Sequence, residues 1–418
     1  MRTFCGLDFG TSNSTIGIVK QNACQLAPLE ANKPTIRSAI FCDAETKQWV
    51  FGQQGINRYL ESTPGRLMMA LKSVLGSSLM KDETLIFNEF MSYTTILSKF
   101  IRHIKLTAEE FAGHELTHAV LGRPVYFHDT DREQDRAAQE TLADIARKVG
   151  FKEVTFQYEP IAAALTYETT LTAERLALII DMGGGTSDFT VIRLRPGLAK
   201  PDRSADVLAN AGIHIAGTDF DHKLSLQSVM PLLGMGSLMR GSSSDIEVPS
   251  AYYHDLTTWH MLAHLYNAKT ISHVRALQAK AQEKALLGRL IRVLQDRAGH
   301  HILDAVETCK QTLSDVQQVP IDLNFIEDEL AVMVTRLQFN QVIHEDLERI
   351  TAAILQTINT AGIKPSDISA IFYTGGSTKI PLIHERINPL FPSAEIVQGD
   401  AFGSVGLGLT IDAQRRYG

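Results

Sequence analysis

At 418 residues the chain is long enough for about two to three domains, and 44 % hydrophobic with 21 % charged residues is the mix of an ordinary globular protein with sizeable cores. A net charge of -7 gives no basic footprint for nucleic acid. Met1-Arg2-Thr3-Phe4 runs straight into a strand pattern without a secretory leader, and no run approaches the roughly 18 apolar residues of a membrane span. The four cysteines, Cys5, Cys24, Cys42 and Cys309, form no CxxC pair. The expectation is a cytoplasmic protein with reduced thiols that binds neither nucleic acid nor membrane.

In chain order, Phe4 to Asp8 reads as a strand ending in an acid. Gly10-Thr11-Ser12-Asn13-Ser14 makes the turn, Thr15 to Val19 returns, and Pro34 to Phe41 is again a strand pattern. Residues 41–92 read as a smaller subdomain. Within it, the spacing of Leu67, Leu71, Val74 and Leu75 predicts a helix over 66–76. Ile96, Leu97, Phe100, Ile101 and Ile104 share the face of a second helix within 93–118. A strand, Ala119 to Gly122, leads through Arg123-Pro124-Val125-Tyr126-Phe127 to a helix from Asp131 to Val149, with Asp129 or Thr130 as its cap. Pro160 suits the first position of an alanine-rich helix, with Glu159 just before it.

The stretch Leu176 to Val191, LALIIDMGGGTSDFTV, repeats the first device. A buried strand ends in Asp181, the glycines Gly183, Gly184 and Gly185 form a tip, and Thr186, Ser187 and Asp188 open the returning strand. Glycine permits close backbone approach, and successive N–H groups in such a tip cradle an anion. A carboxylate beside that cradle repels phosphate but holds a cation, as Mg²⁺ prefers a few carboxylates plus waters and phosphate oxygens. Two such hairpins suggest two related halves facing one polyphosphate. Residues 230–300 are harder to read. Trp259 to Ala298 reads as long, helical and charged, with Leu262, Tyr266, Ile271, Val274 and Leu277 on roughly one side. The stripe reads as core or partner-helix packing; His260 and His264 stand four apart, but HMLAH lacks the glutamate of the metalloprotease motif, which argues against a metal site. Phe339 to Ile358 is helical. A third glycine turn, Gly375-Gly376-Ser377-Thr378, follows the strand Ile371 to Thr374 and leads into a helix near Pro381. The last helix begins near 400–406. There is no Walker A string and no GxGxxG after a strand, which argues against P-loop and dinucleotide-binding proteins.

LDFGTSNS, IIDMGGGTSDFTVI and IFYTGGSTKIPLI resemble the three nucleotide-binding signatures of the DnaK-type heat-shock chaperone ATPases, within the actin–hexokinase superfamily. The signatures stand near the start, middle and end, so the resemblance covers nearly the whole chain. It implies an α/β, two-lobed actin-like ATPase fold with a duplicated ribonuclease-H-like core and inserted subdomains. The expected organisation is lobe I at 1–170 with the small insert 41–92, lobe II at 171–395 with a helical insert 213–344, and a terminal helix 396–418 returning to lobe I. ATP or ADP with Mg²⁺ would lie between the lobes.

The resemblance also assigns residues. Asp8 and Asp181 would anchor water-coordinated Mg²⁺. Gly10, Thr11, Ser12, Asn13 and Gly183 to Thr186 would hold the phosphates, with Gly217 after Ala216 on the phosphate side. Lys72 and Glu159 would orient the attacking water, supported by Asp188. Glu307, Lys310, Gln311 and Ser314 match the adenosine helix, with Gln311 where the family stacks an arginine on adenine. Gly375, Gly376 and Ser377 would contact sugar and phosphate, with Lys379 and Asp400 nearby. Pro124 and Arg132 match a proline–arginine pair that signals to a neighbouring domain, here expected to be a protein partner in trans because no peptide-binding domain follows. The implied function is slow Mg-dependent ATP hydrolysis by a nucleotide-driven switch or co-chaperone-like factor. The alternatives are a sugar-type kinase, an actin-like filament former, or a nucleotide-gated scaffold of the same superfamily.

Overall fold

A computed structural model describes residues 3–61, 63–75, 80, 82–127, 131–197, 202–241, 244–397 and 403–418. The chain divides into two compact units: Met1–His214 with Ala352–Thr378 and Ile387–Gly418, and Ile215–Thr351 with Lys379–Arg386.

The first unit holds two sheets built to one plan. In the first sheet, the strands Phe4–Phe9, Asn13–Lys20 and Ala23–Leu26 form an antiparallel meander. Phe4–Phe9 then pairs in parallel with His118–Arg123, which pairs in parallel with Glu153–Tyr158. In the second sheet, Arg175–Met182, Ser187–Leu194 and Val207–Ile213 form the meander. Arg175–Met182 pairs in parallel with Ala370–Thr374, and that strand with Glu395–Val397. The order meander, parallel neighbour, parallel edge is therefore duplicated. The first strand of each meander is buried almost throughout, which is why both read as continuous apolar runs.

Helices cover these sheets with the faces the periodicity gave. Ile96, Leu97, Phe100, Ile101 and Ile104 of the helix Tyr93–Ala112 are fully buried, as are Leu142, Ile145 and Ala146 of the helix Arg132–Lys148. The latter is capped by Asp131, whose carboxylate accepts from the N–H groups of Glu133 and Gln134. Asp129 and Thr130 lie outside the described residues.

Three expectations are corrected. Residues 66–76 are not a helix. Gly65–Met69 is a strand, antiparallel to Ala39–Asp43 in a three-stranded sheet with Trp49–Phe51, and a 3-10 turn follows at Leu71–Val74. The apolar run is too short for periodicity to choose between helix and strand, and sheet pairing decides it. A side chain at Gly65 would meet the Cys42 carbonyl and the Phe41 ring at 2.4 Å, so glycine there lets the strand close onto its neighbour. The stretch 259–298 is not one long helix. It is broken into Trp259–Met261, Leu262–Leu265, Ala268–Lys280 and Lys284–Gln295. Asn267 starts a new helix by accepting from the Thr270 N–H at 2.9 Å, and Ala281 is extended. Leu262, Val274 and Leu277 of the expected stripe are buried. Helix 339–358 is likewise two helices, Arg336–Val342 and His344–Thr360.

The second unit carries the four pieces of 259–298, the helix Arg336–Val342, the start of the helix His344–Thr360, the helices Gly217–Ser228 and Gly299–Thr312, and two short hairpins. Among the described residues, no helix is long and apolar enough to cross a membrane, and all four cysteines are free thiols.

Candidate functional site

The three glycine turns take their shape from close backbone contacts. At Gly10 a Cβ would stand 2.2 Å from the Asn13 carbonyl oxygen, so the first turn tolerates only glycine. Ser38 fastens that turn: its hydroxyl donates to the Gly10 carbonyl at 2.7 Å and its N–H to the Ser12 carbonyl at 2.9 Å. In the second turn the Gly183 N–H donates to the Thr186 carbonyl at 3.0 Å. Gly375 opens the third turn at φ 80°, where a Cβ would lie 2.3 Å from the Met182 oxygen. The Ser377 hydroxyl donates to the Gly183 carbonyl at 2.7 Å. The second and third turns are thus bound together within the first unit, with Gly376 and Ser377 on the 3-10 turn Gly376–Lys379.

Both expected carboxylates sit one residue from the end of a meander strand. Asp8 lies opposite Thr15, and Asp181 lies between Asp188 and Thr374. Lys72 approaches from the 3-10 turn, and its ammonium donates to Glu159 Oε1 at 2.7 Å. The two side chains are 10 % and 13 % exposed, so this is a sheltered ion pair rather than a solvated one. Glu159 is itself the first residue of the helix Glu159–Glu168, and Pro160 is the second rather than the first.

Each group feels the others. Burial pushes the Asp181 carboxyl up to about 6, with the Glu159 charge adding and a hydrogen bond from Thr374 and the Lys72 ammonium opposing. Burial also raises Asp8, to about 8, followed by repulsion from Glu159, with Lys72 opposing and Asp181 adding. Burial alone would lower Lys72, but Glu159, Asp8 and Asp181 outweigh it and hold its pKa above the ordinary value. Three carboxylates thus face one ammonium.

A surplus of buried negative charge is the donor chemistry of a divalent cation site. Among the described residues, no three His, Cys, Asp or Glu side chains are grouped as a direct ligand set. Mg²⁺ fits that arrangement, because it keeps waters and takes phosphate oxygens around one or two carboxylates. If Asp8 and Asp181 hold it, binding displaces the proton that Asp8 retains near neutrality. Mg²⁺–nucleotide affinity should therefore rise as pH rises from 6 to 8, with proton release near pH 7. Calorimetry in two buffers of different ionisation enthalpy reads that release; a pH-independent affinity with none would remove both carboxylates from the cation site.

The structure adds Gly122, which the motifs did not name, and brings Pro124, expected as a signalling residue, to the site itself. Gly122 lies beside Glu159, and a Cβ there would meet Glu159 Cγ and Leu409 Cδ1 at 3.1 Å. Pro124 lines a cavity of about 30 Å³ with Glu159, Asp181, Asp188, Thr190 and Thr374. Arg132, by contrast, is an exposed residue at a helix start.

In the second unit, Gly217 begins a helix, and the Ala216 N–H donates to Asp219 Oδ2 at 2.9 Å. Glu307, Lys310 and Gln311 stand on the helix Gly299–Thr312, with Ser314 just beyond. The buried Lys310 ammonium donates to Asp221 at 2.6 Å and to the Gly217 carbonyl at 3.0 Å. The Gln311 amide donates to Glu307 at 3.1 Å. Lys379 ends the third turn, and Asp400 lies outside the described residues.

A family model described as "Hsp70 protein" matches residues 4–229 and 284–413. The chain belongs to the Hsp70 family. The duplicated sheets are accordingly those of the actin-like ATPase fold, and the family is one of ATP-binding, heat-shock-type chaperone ATPases. Residues 230–283, which include the first three pieces of the broken helical stretch, fall outside the match. The "Chaperone protein HscA homolog" of Pseudoalteromonas atlantica is 25 % identical over 431 aligned positions, covering 98 % of this chain and 57 % of that protein. The chain thus spans a little over half the length of this Hsp70 relative.

Proposed function

We propose that the chain binds Mg²⁺-ATP and hydrolyses it slowly to ADP and phosphate, working as a nucleotide-driven switch or co-chaperone-like factor in the cytoplasm. The observation that carries this reading is the sheltered Lys72–Glu159 pair at 2.7 Å facing two buried carboxylates. Phosphoryl transfer asks mainly for positioning and charge neutralisation. In this reading the N–H groups of Gly10 to Asn13 and Gly183 to Thr186 bind phosphate oxygens, and Gly375 to Ser377 bind sugar and phosphate. Lys72 pairs with Glu159 and offers positive charge to the transferring phosphoryl. Glu159, with Asp188 in support, orients the attacking water and accepts its hydrogen bond. Asp8 and Asp181 would hold Mg²⁺ through water, and the cation would supply neutralising charge on the phosphates. Gly217, Glu307, Lys310, Gln311 and Ser314 are the proposed nucleoside contacts, together with Lys379 and Asp400. A protein partner is proposed on the Pro124 and Arg132 surface.

Single-turnover hydrolysis by the purified chain, with and without Mg²⁺, tests the reading. Slow Mg-dependent release of phosphate is expected. Tight ATP binding without turnover would instead leave a nucleotide-gated scaffold, and stimulation by a sugar would make the chain a kinase. The adenine contact carries its own test. Glutamine stacks on a base less well than a planar guanidinium. Gln311→Arg should tighten ATP by about fivefold, roughly 1 kcal/mol; an unchanged dissociation constant in a direct titration would remove Gln311 from the adenine site.

A further inference from the structure

Arg123 ends the strand His118–Arg123 and is followed at once by Pro124. Its side chain is 12 % exposed, and both edges of the guanidinium are used. Nε donates to the Pro124 carbonyl and Nη2 to the Val125 carbonyl, each at 3.0 Å. Nη2 also reaches both oxygens of Asp135, at 3.0 and 2.9 Å, and Nη1 donates to Gln139 Oε1. Asp135 in turn accepts the Phe127 N–H at 2.6 Å. The turn from Pro124 to Phe127 is thus wrapped around one guanidinium and pinned to the helix Arg132–Lys148.

The other face of that cation is engaged as well. Its central carbon lies 5.4 Å from the ring centres of both Phe127 and Tyr158. Tyr158 stands directly opposite Arg123 in the parallel pairing, and the next residue is Glu159. One position back, the missing side chain of Gly122 leaves the space beside which Glu159 packs. Pro124 and Val125 line the same small cavity as Glu159, Asp181 and Asp188. A flat, delocalised cation is the side chain that can grip two carbonyls and a carboxylate while lying on an aromatic ring; lysine, a point charge, cannot do both.

We propose that Arg123 is a positioning residue that ties the Pro124–Phe127 turn to the Tyr158–Glu159 junction, so that Glu159 and the helix Arg132–Lys148 move as one. The inference rests on the role given to Glu159 above and adds the residue that positions it.

The test uses the full chain as wild type, Arg123→Leu, Arg123→Lys and Asp135→Asn. Two quantities are measured: amide hydrogen exchange without nucleotide, and single-turnover ATP hydrolysis alongside ATP affinity. In Arg123→Leu, exchange at 125–127 and at 158–162 should rise together, and the hydrolysis rate should fall by about 10- to 100-fold, the scale of a small misplacement. ATP affinity should stay within about twofold, since phosphate contacts are untouched. Arg123→Lys should behave as Arg123→Leu does, because charge without the fork does not restore the link. Asp135→Asn should loosen 125–127 and raise exchange at 158–162 to a smaller degree. Loosening of 125–127 alone, with exchange at 158–162 and the hydrolysis rate unchanged, would overturn the proposal, as would full rescue by lysine. Should Arg123→Leu fail to fold, as judged by its melt, the lysine and asparagine variants carry the same comparison. A wild type without turnover removes the proposed hydrolysis, and paired exchange at the two segments still decides the role of Arg123.

Discussion

Replacing Lys72 with methionine should lower single-turnover ATP hydrolysis by about 100- to 1,000-fold, the loss expected when a preorganised charge is taken from a transition state. The Lys72 ammonium sits 2.7 Å from Glu159 and carries the positive charge that opposes the raised carboxyls of Asp8 and Asp181. Without it three carboxylates are left against one another, and breaking a buried pair costs about 3–5 kcal/mol of stability. That cost has a pH signature. Asp8 and Asp181 already hold their protons above the ordinary carboxylate range. A buried acid with a raised pKa stabilises the fold when protonated, and that contribution is lost as pH rises through the raised value. Lys72→Met should therefore melt closer to wild type at pH 6 than at pH 8. The double variant Lys72→Met/Glu159→Gln removes one negative charge together with the positive one. It should recover most of the melting temperature and none of the turnover, which separates a catalytic role from a structural one. Hydrolysis by Lys72→Met within about threefold of wild type, well under 1 kcal/mol of barrier, would sink the mechanism.

The parts of this molecule written into local chemistry were legible, and those written into long-range pairing were not. Strand–acid–glycine strings around Asp8 and Asp181 fixed two hairpins, because a glycine tip after an apolar run has few alternative structures. The buried faces at Ile96 to Ile104 and Leu142 to Ala146 followed from a long helical period. Lys72 was found through its context, but its backbone was misread. Gly65–Met69 is a strand only because Ala39–Asp43 lies beside it, some 25 residues earlier in the chain. The breaks between 259 and 298 depend on Asn267 and on Ala281, and an apolar stripe running past both hides them. Arg123 escaped because one arginine before a proline has no period and no motif. Its meaning depends on Asp135, Gln139 and Tyr158, which only the fold brings to it.

Gly408→Ala should be among the most damaging single-methyl additions in the chain. The terminal helix Ser404–Tyr417 lies on both members of the first hairpin and on the helix that begins with Glu159. Small residues make that approach possible. A Cβ on Gly6 would stand 2.2 Å from the Thr410 nitrogen, one on Gly17 2.0 Å from the Thr410 hydroxyl, and one on Gly406 2.2 Å from the Thr15 hydroxyl. At Gly408 it would stand 1.8 Å from the carbonyl oxygen of Ala162 and 2.5 Å from its carbon. Alanine gains about 1 kcal/mol over glycine in a helix interior. The collision works the other way, at about 1–3 kcal/mol or more for an overpacked core. It prevails here because the atoms it meets are backbone, which cannot rotate aside. Gly288 supplies the control. It too is within a helix, and a Cβ there meets only the flexible end of Gln278, at 3.2 Å. Gly288→Ala should raise the melting temperature slightly, while Gly408→Ala should lower it by several degrees, at about 2–4 °C per kcal/mol. Ala162 is three residues beyond Glu159 on one helix, so the displaced backbone carries Glu159 away from Lys72. Turnover of the still-folded Gly408→Ala protein, measured well below its melt, should therefore fall as well. A Gly408→Ala protein that melts and turns over like Gly288→Ala would show that the terminal helix is free to shift without moving Glu159.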